Sequence, residues 1–252
     1  MGEYCYYQDG ADFWGYTMSL GADGECQGSN GGMSFFTMDS GHGNRWLTII
    51  DIQYDGGSQI VSGTFNGELD ARVSFGVSTY ATMYSYGIDG YYTTQSFIAK
   101  VGSFGVVVLE SSEHSSGSSS TVATAMEIGP SGDIIVTGYL ETDDSDNPDA
   151  FVASFHASNG TRSWIETVGY TTLDTSIYAW DLDVADGGVI TIVGHFSGEL
   201  TEETACFCVD FGPHNGSSQI RSGFIASYDP GSGWVSAHLV GEEGVVSGSG
   251  QV

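Results

Sequence analysis

Short apolar runs alternate with clusters of Gly, Ser, Asp and Asn along the chain, and almost no window sustains a 3.6-residue apolar period. That pattern predicts many short strands joined by turns. "IVSG", "IVTG" and "TIVG" are apolar runs suited to strands buried on both faces. Each ends in a glycine (Gly63, Gly138, Gly194), where the backbone must bend or pass close to a neighbour. Strict alternation in "FVASF" puts Phe151, Ala153 and Phe155 on one face, poised to pack on a neighbouring sheet. Trp164 and Trp234 fall in later strands, as outer packing residues.

The pattern repeats. "VSGTFNGELD", from Val61 to Asp70, returns from Ile192 as "IVGHFSGELT", with Gly, Phe, Gly, Glu and Leu at the same offsets. Aligned on this phrase, the chain shows three units. The first runs "WLTIIDIQYDGGSQIVSGTFNGELD", "VSFG" and "QSFIAKVGSFGVVVLESS". The second runs "VATAMEIGPSGDIIVTGYLETD" and "DAFVASFHASNGTRSWIETVG". The third runs "YAWDLDVADGGVITIVGHFSGEL", "VDFG" and "SGFIASYDPGSGWVSAHLVG". Each holds four β-rich segments, separated by turns such as "DGG", "PSGD" and "DPGSG". Upstream, "DFWGYTMSLGADG" and "MSFFTMDSG" match only the third and fourth segments, half a unit. Four antiparallel strands in each roughly 50–75-residue unit is the requirement of a propeller blade.

In this order the segments resemble the β-propeller repeat family labelled SBBP. Its features appear here as "IIVTGYL", "TFNGEL" and "HFSGEL", as "VSFG" and "VDFG", and as "DAFVASF", "SFIAKV" and "GFIASY". The likeness covers Trp46 to Gly241; the middle unit lacks Phe-Gly, and the first carries an insertion, "VSTYATMYSYGIDGYYTTQ". What it implies is a scaffold common on secreted or surface proteins, without a shared reaction. The resulting expectation is an all-β propeller of four-stranded antiparallel blades, about three and a half of them. Residues 1–45 form a half-blade with an N-terminal loop, and 46–118, 119–170 and 171–241 form one blade each. Residues 242–252 form a tail or the start of a further blade. An incomplete count leaves open sheet edges, which invite pairing with other blades or identical chains.

Charge sharpens the picture. The 252 residues include 32 acidic and five basic side chains, for a net charge of −27. That field repels nucleic acid and anionic membranes, and no apolar run is long enough for a transmembrane helix. The start, "MGEYCYYQDGADFW", lacks the basic and apolar regions of a signal peptide. Export by another route, or origin as a mature or internal piece of a longer chain, is expected. Cys5 with Cys26 could close an N-terminal loop, whereas Cys206 and Cys208 point to one face of a strand and suit separate partners or free thiols.

Catalytic signatures such as G-x-S-x-G, H-E-x-x-H and Walker motifs do not occur, and the six histidines show no i, i+4 pairing. His195 follows the strand-ending glycine and reads as a satisfied strand or turn residue. The strongest cation candidate is "ETDDSDNPDAF", read as a loop. Asp143, Asp144, Asp146, Asn147 and Asp149 would offer oxygen ligands to Ca²⁺, against the alternative of a solvated acidic loop. Two sequons, at Asn159 and Asn215, fall at predicted turns that tolerate a glycan. Glu110–Thr124 reads as a flexible linker. Within the insertion, Tyr84, Tyr86, Tyr91 and Tyr92 suit protein contacts or sugar stacking. The sequence therefore predicts a non-enzymatic, extracellular or cell-surface module, structural or adhesive, within a larger assembly. The alternative is a carbohydrate-binding propeller that uses the Tyr-rich insertion.

Overall fold

The computed structural model describes the backbone of residues 7–9, 12–17, 33–38, 46–55, 58–66, 68–74, 81–84, 94–102, 105–111, 120–142, 145–158, 160–168, 176–197, 221–240 and 247–248. Side chains are described within 48–54, 60–65, 94–100, 120–141, 147–168, 176–197 and 223–240. Among these residues the chain is all-β and antiparallel, with no helix.

The first strands in chain order are β1 (Tyr7–Asp9), β2 (Asp12–Thr17), β3 (Met33–Met38), β4 (Trp46–Asp55), β5 (Ser58–Asn66), β6 (Glu68–Ser74), β7 (Ala81–Tyr84), β8 (Gln95–Gly102) and β9 (Gly105–Ser111). After them come β10 (Ser120–Ile128), β11 (Ile134–Thr142), β12 (Ser145–Phe155), β13 (Arg162–Val168), β14 (Ser176–Val184), β15 (Ile190–Ser197), β16 (Arg221–Asp229), β17 (Gly233–Val240) and β18 (Ser247–Gly248). They form an N-terminal sheet, β1-β2-β3-β6-β7, and a second, β4-β5-β8-β9. A third sheet is β10-β11-β12-β13, and a fourth is β14-β15-β16-β17-β18. The first two belong to one compact unit and the last two to another.

Three strands differ from the sequence reading. The stretch after β5, expected as a Phe-Gly turn and an insertion, supplies β6 and β7, and β6 pairs with β3 to widen the N-terminal sheet. Near the C-terminus, β18 pairs with β17 and lengthens the fourth sheet.

The repeated glycines have a common cause. In three sheets the first strand carries a β-bulge at the same place, between Ile49 and Asp51, Ala123 and Ala125, and Ala179 and Asp181. The extra residues are Ile50, Thr124 and Trp180. Opposite each bulge sits the repeated glycine, which lies inside its strand rather than at its end, paired as Ile49↔Gly63, Ala123↔Gly138 and Ala179↔Gly194. The bulge pushes a carbonyl into the space of a side chain. A Cβ on Gly138 would overlap the Val122 oxygen, and one on Gly194 the Tyr178 oxygen. On Gly63 it would lie 2.5 Å from the Thr48 oxygen. Across the next strand each glycine faces a phenylalanine: Gly63↔Phe97, Gly138↔Phe151 and Gly194↔Phe224. All three rings are buried, and those of Phe97 and Phe224 lie where the missing side chains would be. Bulge, glycine and aromatic ring thus form one lock, built three times.

In the second sheet both faces are buried. Val61, Phe65, Phe97 and Ala99 lie on one side and Ile60, Ser62 and Thr64 on the other. Ser62 Oγ is fully buried and has no hydrogen-bond partner among the described residues. An unpaired buried hydroxyl costs about 1–3 kcal/mol, so Ser62→Ala should leave stability unchanged or raise it by about 1 kcal/mol in urea unfolding.

In the other compact unit, the third and fourth sheets stack face to face over one core. Ile135, Ala150, Val152 and Val168 meet Ile177, Ala179, Phe196, Phe224 and Ala226. First strands β10 and β14 lie side by side, and two polar contacts tie them. Thr124 Oγ1 donates to the Ala179 carbonyl at 2.9 Å, and the Val184 amide donates to Glu127 Oε2 at 2.7 Å. Tyr228 sits between Trp164 and Trp234, each 5.1 Å away between ring centres. The opposite face of β12, with Phe151, Ala153 and Phe155, is buried too, so this sheet is apolar on both sides.

Candidate functional site

Two surface features could carry chemistry, and both lie on the third and fourth sheets. At the hairpin-turn end a cleft of about 290 Å³ opens between the turns. Its walls include Asp133, Trp164, Asp186 and Pro230. The two first hairpins share one design. Gly129 N donates to the Asp133 carbonyl at 2.9 Å and Ala185 N to that of Val189 at 2.9 Å. Gly132 and Gly188 hold φ of 82° and 86°, a left-handed conformation suited to glycine.

At this end Asp133, His156 and Ser163 come together in a Ser–His–Asp order. Asp133 Oδ1 is 3.0 Å from His156 Nδ1, and Ser163 Oγ is 3.0 Å from His156 Nε2. The same Oγ is also 3.4 Å from Nδ1. An oxygen aligned with the Nε2 lone pair would lie far from the other ring nitrogen. The hydroxyl therefore sits to the side of the imidazole, out of line for proton transfer. His156 is half exposed and Ser163 is exposed, so no dry pocket surrounds the pair. This is a surface hydrogen-bond cluster, completed by Ser131 Oγ donating to Asp133 Oδ2 at 2.9 Å.

The second feature is aromatic. Tyr178, Trp180 and His195 present nearly parallel rings. Tyr178 and His195 are 4.9 Å apart at 22°, Trp180 and His195 5.6 Å at 20°, and Tyr178 and Trp180 6.1 Å at 9°. Tyr139 meets Tyr178 edge-on at 4.9 Å. Trp180 Nε1–H donates to His195 Nδ1 at 2.6 Å, which fixes the neutral imidazole with its proton on Nε2. The indole N–H is thus satisfied, yet Trp180 remains 48% exposed. At the equivalent bulge positions stand Ile50 and Thr124, so the fold accepts three unrelated side chains there.

Burial, reinforced by Glu141 and then Tyr178, raises the Tyr139 phenol above its ordinary value. Burial and the Glu166 carboxylate do the same to Tyr228. A raised folded-state pKa keeps these phenols neutral while their unfolded counterparts ionise. Their contribution is complete below about pH 10 and is lost as pH rises through the folded value. Tyr139→Phe and Tyr228→Phe should each remove part of the late phase of an alkaline absorbance titration and flatten the loss of stability above about pH 10. Asp229 behaves oppositely. The Gly231 amide at 2.8 Å and the Ser232 hydroxyl at 2.8 Å hold its carboxyl below the usual range, which fixes the β16–β17 turn.

Of the sequence-predicted residues, only part of the acidic stretch has described side chains. Asp143 and Asp144 lie outside the described residues, as do Asn159, Asn215, Cys5, Cys26, Tyr86, Tyr91 and Tyr92. Tyr84 ends β7, opposite Glu68. The segment from Ser145 onward is strand rather than loop, and Thr142 pairs with Ser145 across a tight turn. Asp146 lies in that strand, Asn147 accepts a 3.0 Å hydrogen bond from Ser176 Oγ, and Asp149 pairs with Leu140 in the ladder. No group of three or more His, Cys, Asp or Glu side chains suited to a metal occurs among the described residues. Asp181, in "DLDVADGG", accepts the Leu182 amide at 3.0 Å, and Asp51 treats Ile52 likewise at 2.7 Å.

No protein-family model and no curated protein sequence matches the chain. The aromatic array was the feature missed by sequence reasoning. Its signal was the pair Tyr178 and Trp180 on a first strand, with Tyr139 and His195 both directly after one of the repeated glycines.

Proposed function

We propose that this protein is a non-enzymatic β-propeller module of the extracellular space or cell surface, with a structural or adhesive role in a larger assembly. One observation carries the reading: the bulge–glycine–phenylalanine lock recurs in register in three antiparallel sheets of four or five strands. Two of these stack face to face with their first strands adjacent, the arrangement that blades use around an axis. Such a repeat devotes its side chains to packing its neighbours. The net charge of −27 suits a surface that stays soluble in salty or calcium-rich water. The partners are further blades or identical chains. Calcium enters only through Asp143, Asp144, Asp146, Asn147 and Asp149. Light scattering of the native protein tests this reading, expecting a mass above the 26.6 kDa of one chain. Dissociation by a chelator would add calcium, and a 26.6 kDa particle at every concentration would contradict the reading.

The aromatic array favours a second reading, a carbohydrate-binding propeller. A flat, exposed indole with its N–H already paired offers its face to the C–H groups of a sugar ring. Glycan-array signals lost on Trp180→Ala would support it; an array without signals would remove it.

A further inference from the structure

The cleft at the hairpin-turn end has the parts of a binding site. One side is a cross-strand row of the third sheet, paired Ile135↔Ser154↔Trp164. The other is the Val184↔Ile190 pair of the fourth sheet, and Asp133 and Asp186 enter from the two first hairpins. Its volume of about 290 Å³ stands near the lower end of small-ligand pockets, roughly 300–1,000 Å³.

Ser154 shows that the cleft wants an occupant. The residue is 2% exposed, it lines the cleft, and its hydroxyl makes no hydrogen bond to another described residue. A buried hydroxyl without a partner is destabilising, and the open side from which a partner can reach it is the cleft.

The rim selects the charge of that partner. The hairpins keep their amides for themselves: Gly132 N donates to the Gly129 carbonyl and Gly188 N to that of Ala185, both at 2.8 Å. Pro130 and Pro230, also in the lining, have no N–H. An anion would meet two carboxylates and few donors, on a chain of net charge −27. A cation meets the reverse, with an indole wall and apolar sides for a carbon stem. Asp133 keeps acceptor capacity beyond its contacts with His156 and Ser131, because a carboxylate has about four lone-pair sites. Guanidinium suits this set best: its planar fork of donors serves several acceptors while its face stacks on an indole.

We infer that the cleft binds a guanidinium group on a short apolar stem, carried by a small molecule or by an arginine side chain of a partner protein. Asp133, Asp186 and the Ser154 hydroxyl supply the acceptors, Trp164 the stacking surface, and Ile135 and Ile190 the contact for the stem. The site lies within one chain and does not depend on the assembly reading.

Isothermal titration calorimetry of the full chain at about 0.15 M salt, which screens the diffuse field of the acidic surface, is the test. The probes are N-butylguanidinium, N-acetyl-arginine methylamide and the uncharged N-acetyl-citrulline methylamide. Both guanidinium probes should bind saturably, one per chain, and the citrulline probe should not. Tighter binding of the capped arginine would mark a partner's side chain as the source; equal or tighter binding of N-butylguanidinium would mark a free small molecule. Asp186→Asn should weaken binding about tenfold and Ser154→Ala roughly threefold. Asp183→Asn, which removes an exposed carboxylate of β14 outside the cleft, should leave it unchanged. Asp186 is exposed and Ser154→Ala removes an unpaired hydroxyl, so both variants should keep the far-ultraviolet circular dichroism spectrum of the wild type. No saturable binding, an affinity unchanged by either cleft variant, an equal loss with Asp183→Asn, or equal binding of the citrulline probe would overturn the site.

Discussion

Gly138→Ala should cost the β10–β13 sheet about 3 kcal/mol or more and lower the melting temperature by roughly 10 °C. The new methyl would overlap the Val122 carbonyl and lie 2.9 Å from the Ala123 Cα, and neither is the end of a flexible side chain that can move aside. Relief requires β10 to part from β11, which breaks ladder hydrogen bonds on both sides of the bulge. Gly194→Ala should behave alike, because its methyl would meet the Tyr178 carbonyl and the Phe224 ring. Gly132→Ala is the contrasting case. That glycine holds a φ of 82° with nothing within 4 Å of the new methyl, so only the backbone preference is lost, about 1 kcal/mol. Thermal unfolding of the three variants separates the two causes: close approach gives the large losses, and conformation alone the small one.

Tyr228→Ala should be the most damaging side-chain truncation in the fourth sheet, at about 3–5 kcal/mol by urea unfolding. The ring is buried at 6% exposure between Trp164 of one sheet and Trp234 of its own. Removing it would leave a void between two indoles that the β13 and β17 ladders hold in place, so the gap cannot close cheaply. Both indoles would gain water contact, and tryptophan emission should shift to longer wavelength in the folded protein. Tyr228→Phe keeps the ring and loses only the phenol's bond to Glu166, a loss of about 1 kcal/mol with little change in emission. Equal losses from the two variants would mean that the hydroxyl, not the ring, carries the effect.

Much of this was legible in the chain because it was written more than once. Period-two alternation and the turn residues of "PSGD" and "DPGSG" mark strands whatever the tertiary context, and β10 to β17 are where those signals are strongest. The three glycines were visible as a repeat. Their cause was not, because a bulge is a relation between two strands and the extra residue can be Ile50, Thr124 or Trp180. The acidic stretch misled for a physical reason. Pro148 and five polar neighbours carry loop propensity, yet pairing with β11 draws the segment into β12. Long-range pairing likewise hid β6, whose partner β3 lies far upstream, and β7 follows by pairing with β6. The aromatic array joins three separate strands, so no single window of sequence contains it.

The central claim is that one structural unit, locked by a bulge, a glycine and a phenylalanine, is built three times. Amide hydrogen exchange followed by mass spectrometry tests it most directly, on peptides covering β5, β11 and β15. Each of these strands is paired on both sides, so the account predicts that all three rank among the slowest-exchanging segments. It also predicts that Gly194→Ala releases β15 before β5. Rapid exchange in any one of the three strands of the wild-type protein would contradict it.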